Sequence, residues 1–224
     1  MIQIPYIRYE LSFPPVESAT ADGLLAYGGD LSPNRLLLAY RSGIFPWYNE
    51  TDPILWWSPD PRFVLYLDEF ILRKSLKKRM KHFEIYYDTA FSDVIRECGT
   101  ISRTGQQGSW IIPEVVEAYT VLFDMGYAHS IEAWQDGELV GGLYGVAIGK
   151  MFFGESMFSK VKDASKVAFA SLIDRLKKEG FDMIDCQIPS EHLRSLGARE
   201  ISRAEFMKHM KIQMSKKLTQ KHWN

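Results

Sequence analysis

Apolar and polar positions along this chain change their period several times, and each change marks an element. From residue 129 the pattern is that of strands: His129 to Gln135, Leu139 to Ile148 and Met151 to Met157, parted by turns at Asp136-Gly137 and Gly149-Lys150. Short apolar runs bounded by glycine-bearing turns read as buried, hairpin-linked strands. A helical period follows from about Ala164 to Glu179, with Val167, Leu172, Ile173 and Leu176 on or near one face and a stop at Gly180. Another apolar run, Met183 to Ile188, predicts a strand beyond that helix. Upstream, Phe63–Leu67 and Phe83–Tyr87 read as strands, and Glu69–Lys81 and Ala90–Cys98 as helices, the second ended by Gly99. Pro113 opens a helix that stops at Gly126. An antiparallel meander that passes through a helix to a strand parallel to the last is an α+β arrangement, with a right-handed crossover.

The first sixty residues have another character. Ser32 and Pro33 supply an N-cap and a first-turn proline, and the helix they start runs to Gly43. Residues 44–48 and 52–62 then hold four prolines and three tryptophans, which predicts a rigid aromatic loop region and no regular element. Such rings either pack a small core or offer flat faces for stacking a base. The change at residue 62 suggests a small N-terminal aromatic, proline-rich α+β domain over 1–62 and a second domain over 63–224. Residues 99–110 read as a polar, glycine-bearing loop.

Composition narrows the classes. A chain of 224 residues holds one large domain or two small ones, and its 46% hydrophobic and 25% charged content is that of a globular protein. No apolar run approaches the length of a spanning helix, and Met1 to Arg8 lacks the pattern of a secretory signal. Cys98 and Cys186 are too few for a disulfide framework, and the five histidines show no metal-ligand spacing. The expectation is therefore no metal, no membrane and a cytoplasmic location. A net charge of −1 argues against indiscriminate nucleic-acid binding but allows a local patch. Arg73, Lys74, Lys77, Lys78, Arg79 and Lys81 put six basic residues into nine positions with few acids nearby, which is either a solvated helix face or such a patch.

Two strands carry polar groups among apolar ones. Met151 to Ser159 embeds Glu155, Ser156 and Ser159, and Met183 to Ile188 embeds Asp185 and Gln187. A buried carboxylate without partners costs several kcal/mol, so Glu155 either faces solvent at a strand end or finds donors. Two neighbouring strands of this kind look like the floor of a pocket.

The order of elements resembles the GNAT acyltransferase core, a mixed sheet flanked by helices. The phosphate loop of that core is missing, because Arg103-Thr-Gly105-Gln-Gln-Gly108 has its glycines at other spacings, so coenzyme A is not expected. Several segments together resemble the leucyl/phenylalanyl-tRNA–protein transferases: Phe45-Pro-Trp47, Trp56-Trp-Ser-Pro-Asp-Pro-Arg62, Gly108-Ser-Trp-Ile111, Gly154-Glu-Ser-Met-Phe-Ser159, Ala164-Ser-Lys166, Asp185-Cys-Gln187 and His192 to Ala198. The resemblance implies a small N-terminal domain, a GNAT-like C-terminal domain, and transfer of Leu, Phe or Met from aminoacyl-tRNA to an N-terminal Arg or Lys. Acceptors so modified enter N-terminus-directed proteolysis. No cofactor is expected, since an aminoacyl ester is already activated, and a monomer is the default expectation.

By the same resemblance Asp185 and Gln187 sit at the reacting centre, on one face of a strand because they are two apart. Gln187 would orient the attacking amine, Asp185 would polarise that contact, and Glu155 would face an amino group. Trp47 and Trp110 match positions around the terminal adenosine, with Tyr40 and Tyr119 beside them, and Leu143, Phe152 and Ile184 would take the amino-acid side chain. The basic run becomes the contact for the acceptor stem. Ser109 and Leu172 and Leu176 depart from the family, the first mildly, the others where aromatic side chains are expected. Two other readings fit the same core: an acyltransferase with a coenzyme A or peptidoglycan-precursor substrate, and a non-catalytic RNA-binding module.

Overall fold

The computed structural model describes residues 4–100, 109–217 and 223. Its elements run β1 (Tyr6–Ile7), β2 (Leu24–Gly28), α1 (Pro33–Arg41), β3 (Phe45–Pro46), β4 (Leu55–Trp57), β5 (Arg62–Tyr66), α2 (Lys74–Arg79), β6 (Glu84–Tyr87), α3 (Phe91–Thr100) and α4 (Pro113–Asp124). They continue as β7 (Ala128–Gln135), β8 (Glu138–Ile148), β9 (Met151–Ser159), α5 (Ala164–Lys178), β10 (Met183–Gln187), α6 (Glu191–Arg194), β11 (Arg199–Ile201) and α7 (Arg203–Met214). This is an α+β fold with two sheets.

The larger sheet has the order β11-β5-β10-β9-β8-β7-β6. Every neighbouring pair is antiparallel except β9 and β10, the pair joined through α5. Asp136 and Gly137 turn the β7–β8 hairpin with positive φ at both positions, the geometry that matches strand twist. Alternate residues of β8 feed two cores. Tyr144 and Val146 pack toward α3, α4 and the N-terminal sheet, while Leu143 and Ala147 pack toward α5.

The smaller sheet, β1-β2-β4-β3, corrects the expectation of an irregular aromatic loop, because β3 and β4 are short paired strands inside it. Its rings divide the two roles foreseen for them. Trp56 is wholly buried against Phe13, and Trp47 and Trp57 remain part-exposed. One core cluster runs without a break from Leu25 and Tyr40 to Val64, Tyr144 and Phe153, so the two sheets share an interior.

A second correction concerns the basic helix expected over 69–81. Only Lys74–Arg79 is α-helical, with a 3-10 turn at Met80–His82 and another at Leu67–Glu69. The chain between is claimed elsewhere: the Ile71 N–H donates to the Leu196 carbonyl at 2.9 Å, and Leu67 donates to Asp182. The helix expected over Ala90–Cys98 runs from Phe91 through Gly99 to Thr100, two residues beyond its expected end. Of the loop expected at 99–110, residues 101–108 lie outside the described residues. Among the described residues no helix is long and apolar enough to cross a membrane.

Candidate functional site

β9 and β10 pair over only two residues, Phe152–Phe153 with Ile184–Asp185, and then part. Each strand is irregular at that point. In β9 the ladder to β8 passes from Gly145–Gly154 to Tyr144–Ser156, which leaves Glu155 as an extra residue. The bulge reverses the phase of the strand, so Phe153 and Phe158 share one core although five residues separate them. Bulging needs close approach from β8: a Cβ on Gly145 would lie 2.3 Å from the Phe153 carbonyl and 2.6 Å from the Phe152 ring. In β10 the ladder skips from Asp185 to Gln187, and Gln187 takes a φ of 66°, rare for a residue with a side chain.

The two bulges aim their side chains at each other. Gln187 Nε2 donates to Glu155 Oε1 at 2.9 Å, and Tyr40 donates to the same oxygen at 2.8 Å. Tyr119 donates to Glu155 Oε2 at 3.3 Å, and the two tyrosine hydroxyls also meet each other. Burial raises the Glu155 carboxyl to a pKa of about 7, helped by the nearby Asp185 charge, while the donors from Tyr40 and Gln187 work the other way. Burial likewise holds both tyrosine hydroxyls well above their usual range, with Glu155 adding to it.

Asp185 lies beneath this cluster. It is wholly buried in a two-pronged pair with Arg62, Nε to Oδ1 at 2.9 Å and Nη2 to Oδ2 at 2.7 Å. The guanidinium is stacked between Phe45 and Phe206, and its Nη1 donates to the Gly43 carbonyl. Asp185 Oδ1 also accepts the backbone N–H of Gln187 at 3.0 Å, across the bulge. The expectation that Asp185 and Gln187 share a face therefore fails, because the bulge sends one side chain to Arg62 and the other to Glu155. Asp185 acts on Gln187 through the backbone.

A cavity of about 530 Å³ opens where the strands part. Leu143, Phe152 and Ile184 line it, as do Glu155, Gln187, Trp47 and Trp110. Tyr40 and Tyr119 do not; both are wholly buried behind Glu155. Trp110 is only 7% exposed, whereas Trp47 is part-exposed, its ring tilted against Trp57 at 5.6 Å, and its carbonyl accepts the indole N–H of Trp57. Sequence reasoning left Phe169, Met157, Leu193 and His192 out of this wall. Leu172 lines it too, but Leu176 is core. Burial, then Lys166, lowers the His192 pKa. Arg62 was the other omission. Its signal was a charge opening an apolar strand, Phe63 to Tyr66, with a second unpaired charge inside Met183–Gln187.

The basic residues lie apart from the cavity floor. Lys74, Lys77 and Lys78 are exposed on α2, as are Arg73 before it and Lys81 after it. Arg79 differs: it pairs with Asp163 at 3.2 Å and donates to the Lys162 carbonyl, beside the start of α5.

Two family models match this chain: leucyl/phenylalanyl-tRNA protein transferase over residues 64–211, and the N-terminal domain of that transferase over residues 29–60. A leucyl/phenylalanyl-tRNA–protein transferase from Sulfurimonas denitrificans is 55% identical over 210 residues, 93% of this chain and 92% of its own. One from Syntrophobacter fumaroxidans is 57% identical over 200 residues, 88% of this chain and 86% of its own. Among solved structures, a GCN5-related N-acetyltransferase from Kribbella flavida aligns with a TM-score of 0.40 and 9% identity, over 76% of this chain and 61% of that one.

Proposed function

The chain belongs to the leucyl/phenylalanyl-tRNA–protein transferase family, and from that premise we propose how its residues divide the reaction. It is an aminoacyltransferase whose substrates are an aminoacyl-tRNA and a protein. The bond broken is the ester between the amino acid and the terminal ribose; the bond formed is an amide to the acceptor's α-amino nitrogen. Starting from the ammonium, that nitrogen must lose two protons: one is taken up before attack, and the other passes to the ribose oxygen as the ester bond breaks. An α-amino group with a pKa of about 8 is mostly protonated at neutral pH. The enzyme's task is to neutralise it, aim it and hold the ester beside it, and placement alone can supply roughly 7–11 kcal/mol of the barrier.

One observation carries the assignment: a carboxylate tuned to about 7 stands at an apolar cavity, held by three side-chain donors. Glu155 pairs with the incoming ammonium and, as the ionised form, takes its proton. Gln187 has spent its amide N–H on Glu155, so its side-chain carbonyl is left to orient the amine. Tyr40 and Tyr119 fix the carboxylate and Asp185 fixes Gln187; these are positioning residues. Leu143, Phe152 and Ile184 enclose the side chain of the transferred residue, which the apolar wall limits to Leu, Phe or Met. Trp47 stacks the terminal adenosine, and Trp110 borders it. Arg73, Lys74, Lys77, Lys78 and Lys81 follow the acceptor-stem phosphates, with Arg79 held to Asp163.

On the acceptor side the negative charge of Glu155 suits a chain that begins with Arg or Lys, and such products enter N-terminus-directed degradation. The division of the chain at residue 62 belongs to the same proposal, with residues 1–62 carrying the stacking faces and 63–224 the chemistry. The reaction is placed in the cytoplasm, with the chain acting as a monomer.

The test uses leucyl-tRNA labelled in the amino acid and a peptide that begins with Arg. Transfer to that peptide, but not to one beginning with Ala, and its loss in Glu155→Gln and Gln187→Ala, is the expected result. Unimpaired turnover in both variants would refute the assignment, and tRNA binding without transfer would favour a binding module. Transfer from acetyl coenzyme A in place of the tRNA would refute the substrate.

A further inference from the structure

Trp223 lies nine residues beyond α7 and is 3% exposed. It is seated by a built receptor in the layer between the large sheet and α5. Its indole stacks on the wholly buried His129 at 4.1 Å and 9°. Its backbone N–H donates to Asp88 Oδ2 at 2.8 Å, and Asp88 in turn meets His129 Nδ1 and the Ser130 N–H. Its carbonyl accepts from Arg175 Nη1 at 2.8 Å, and the same guanidinium covers the indole at 4.9 Å. Both backbone groups are thus paired with charged side chains, the stronger class of hydrogen bond.

The indole also meets a residue of the cavity wall. Phe152, which lines the cavity, stacks with Trp223 at 5.9 Å and 23°. The edge of the Phe152 ring lies over Gly145, where no side chain could fit. Phe152 is therefore held from two directions, by the β8 backbone and by Trp223. Phenyl rings turn readily about χ1 and χ2 unless neighbours block them, and interiors are packed densely enough that a missing neighbour is felt.

We propose that Trp223 is a specificity-determining residue: it backs Phe152 and so sets the depth of the cavity that receives the amino-acid side chain. The proposal rests on the reading that this cavity takes the transferred residue. With the indole removed, Phe152 swings back into the vacated space and the cavity deepens. A long flat side chain then gains room, while leucine loses contact with its wall.

The experiment is a competition between leucyl-tRNA and phenylalanyl-tRNA for one Arg-led peptide, in the wild type, Trp223→Ala and Trp223→Phe. Competition yields the ratio of the two kcat/KM values, which does not depend on how much of the protein is active. A variant that is merely less stable loses both transfers together and leaves the ratio where it was. The expected result is a ratio moved toward phenylalanine by about tenfold in Trp223→Ala, the scale at which apolar pockets discriminate. Trp223→Phe, which keeps a ring against His129, should return most of it. An unchanged ratio in the Ala variant overturns the proposal; if that variant is inactive, Trp223→Leu, which keeps bulk but no flat ring behind Phe152, takes its place, and an unchanged ratio there does so. A wild type that transfers neither amino acid would instead refute the reading of the cavity, and this proposal with it.

Discussion

Glu155 is poised near neutrality, and its two forms do different things. Between pH 4.5 and about 7 the folded chain holds a proton on Glu155 that the unfolded chain has already lost, so this group's contribution to stability falls across that window. Glu155→Gln should therefore unfold at higher urea than the wild type at pH 8, by on the order of 2–3 kcal/mol relative to the same comparison at pH 4. Catalysis should move the other way. Wild-type kcat/KM should rise through about pH 7 as the carboxylate ionises, whereas Glu155→Gln should fall by about a hundredfold or more and keep only the limb of the amine near 8. Arg62 and Asp185 make a separate residue-scale case. Removing one charge strands the other in the interior, so Arg62→Met should cost about 3–5 kcal/mol by chemical denaturation, and Arg62→Met with Asp185→Leu should recover much of that but not the activity. The carboxylates and the glutamine were legible as polar positions in apolar runs. Their pairings were not: Tyr40 and Tyr119 were expected beside the adenosine and Arg62 was not expected at all, because the pairs they make span 115, 36 and 123 residues.

At the scale of elements, period and punctuation revealed β7, β8, β9, α4 and α5 closely, since each carries its own turn or stop residue. Gln187 shows the limit of that reading. Two-residue alternation predicts a shared face with Asp185, and a bulge, which leaves no mark in the pattern, breaks it. Basic residues misled in the other direction. A run that would make a long helix is cut to Lys74–Arg79 because neighbouring backbone is bonded to Leu196 and Asp182. Its charges are still unequal in use. Lys74, Lys77 and Lys78 are exposed and make no ion pair among the described residues, while Arg79 is engaged with Asp163. Neutralising those three lysines should flatten the slope of log K for tRNA against log salt by roughly 2–3. Arg79→Gln alone should change it by less than one lysine does, measured by filter binding across a salt series.

Over the whole molecule, the small sheet is the part that local pattern could not reveal. Its strands are two to five residues long, and β2 pairs with β4 some thirty residues on. Strands so short say little by alternation, and their pairing is a property of the folded chain. The same sheet shares its interior with the large one, and Arg62 bonds to Gly43 and stacks on Phe45. Separate melting of the two halves is then costly, and the chain should unfold in one transition, with tryptophan fluorescence and far-ultraviolet circular dichroism giving coincident midpoints. Two resolved transitions would mean that the division near residue 62 is also a division in stability.

Seen from the ladder, Glu155 is a one-residue insertion. Gly154 and Ser156 already pair with consecutive residues of β8, so deleting Glu155 would close β9 into a regular strand with both flanks in register. The deletion should leave a folded protein, with near-native circular dichroism and a sharp melt, that transfers nothing. A hairpin without chemistry and one with it would then differ by a single codon.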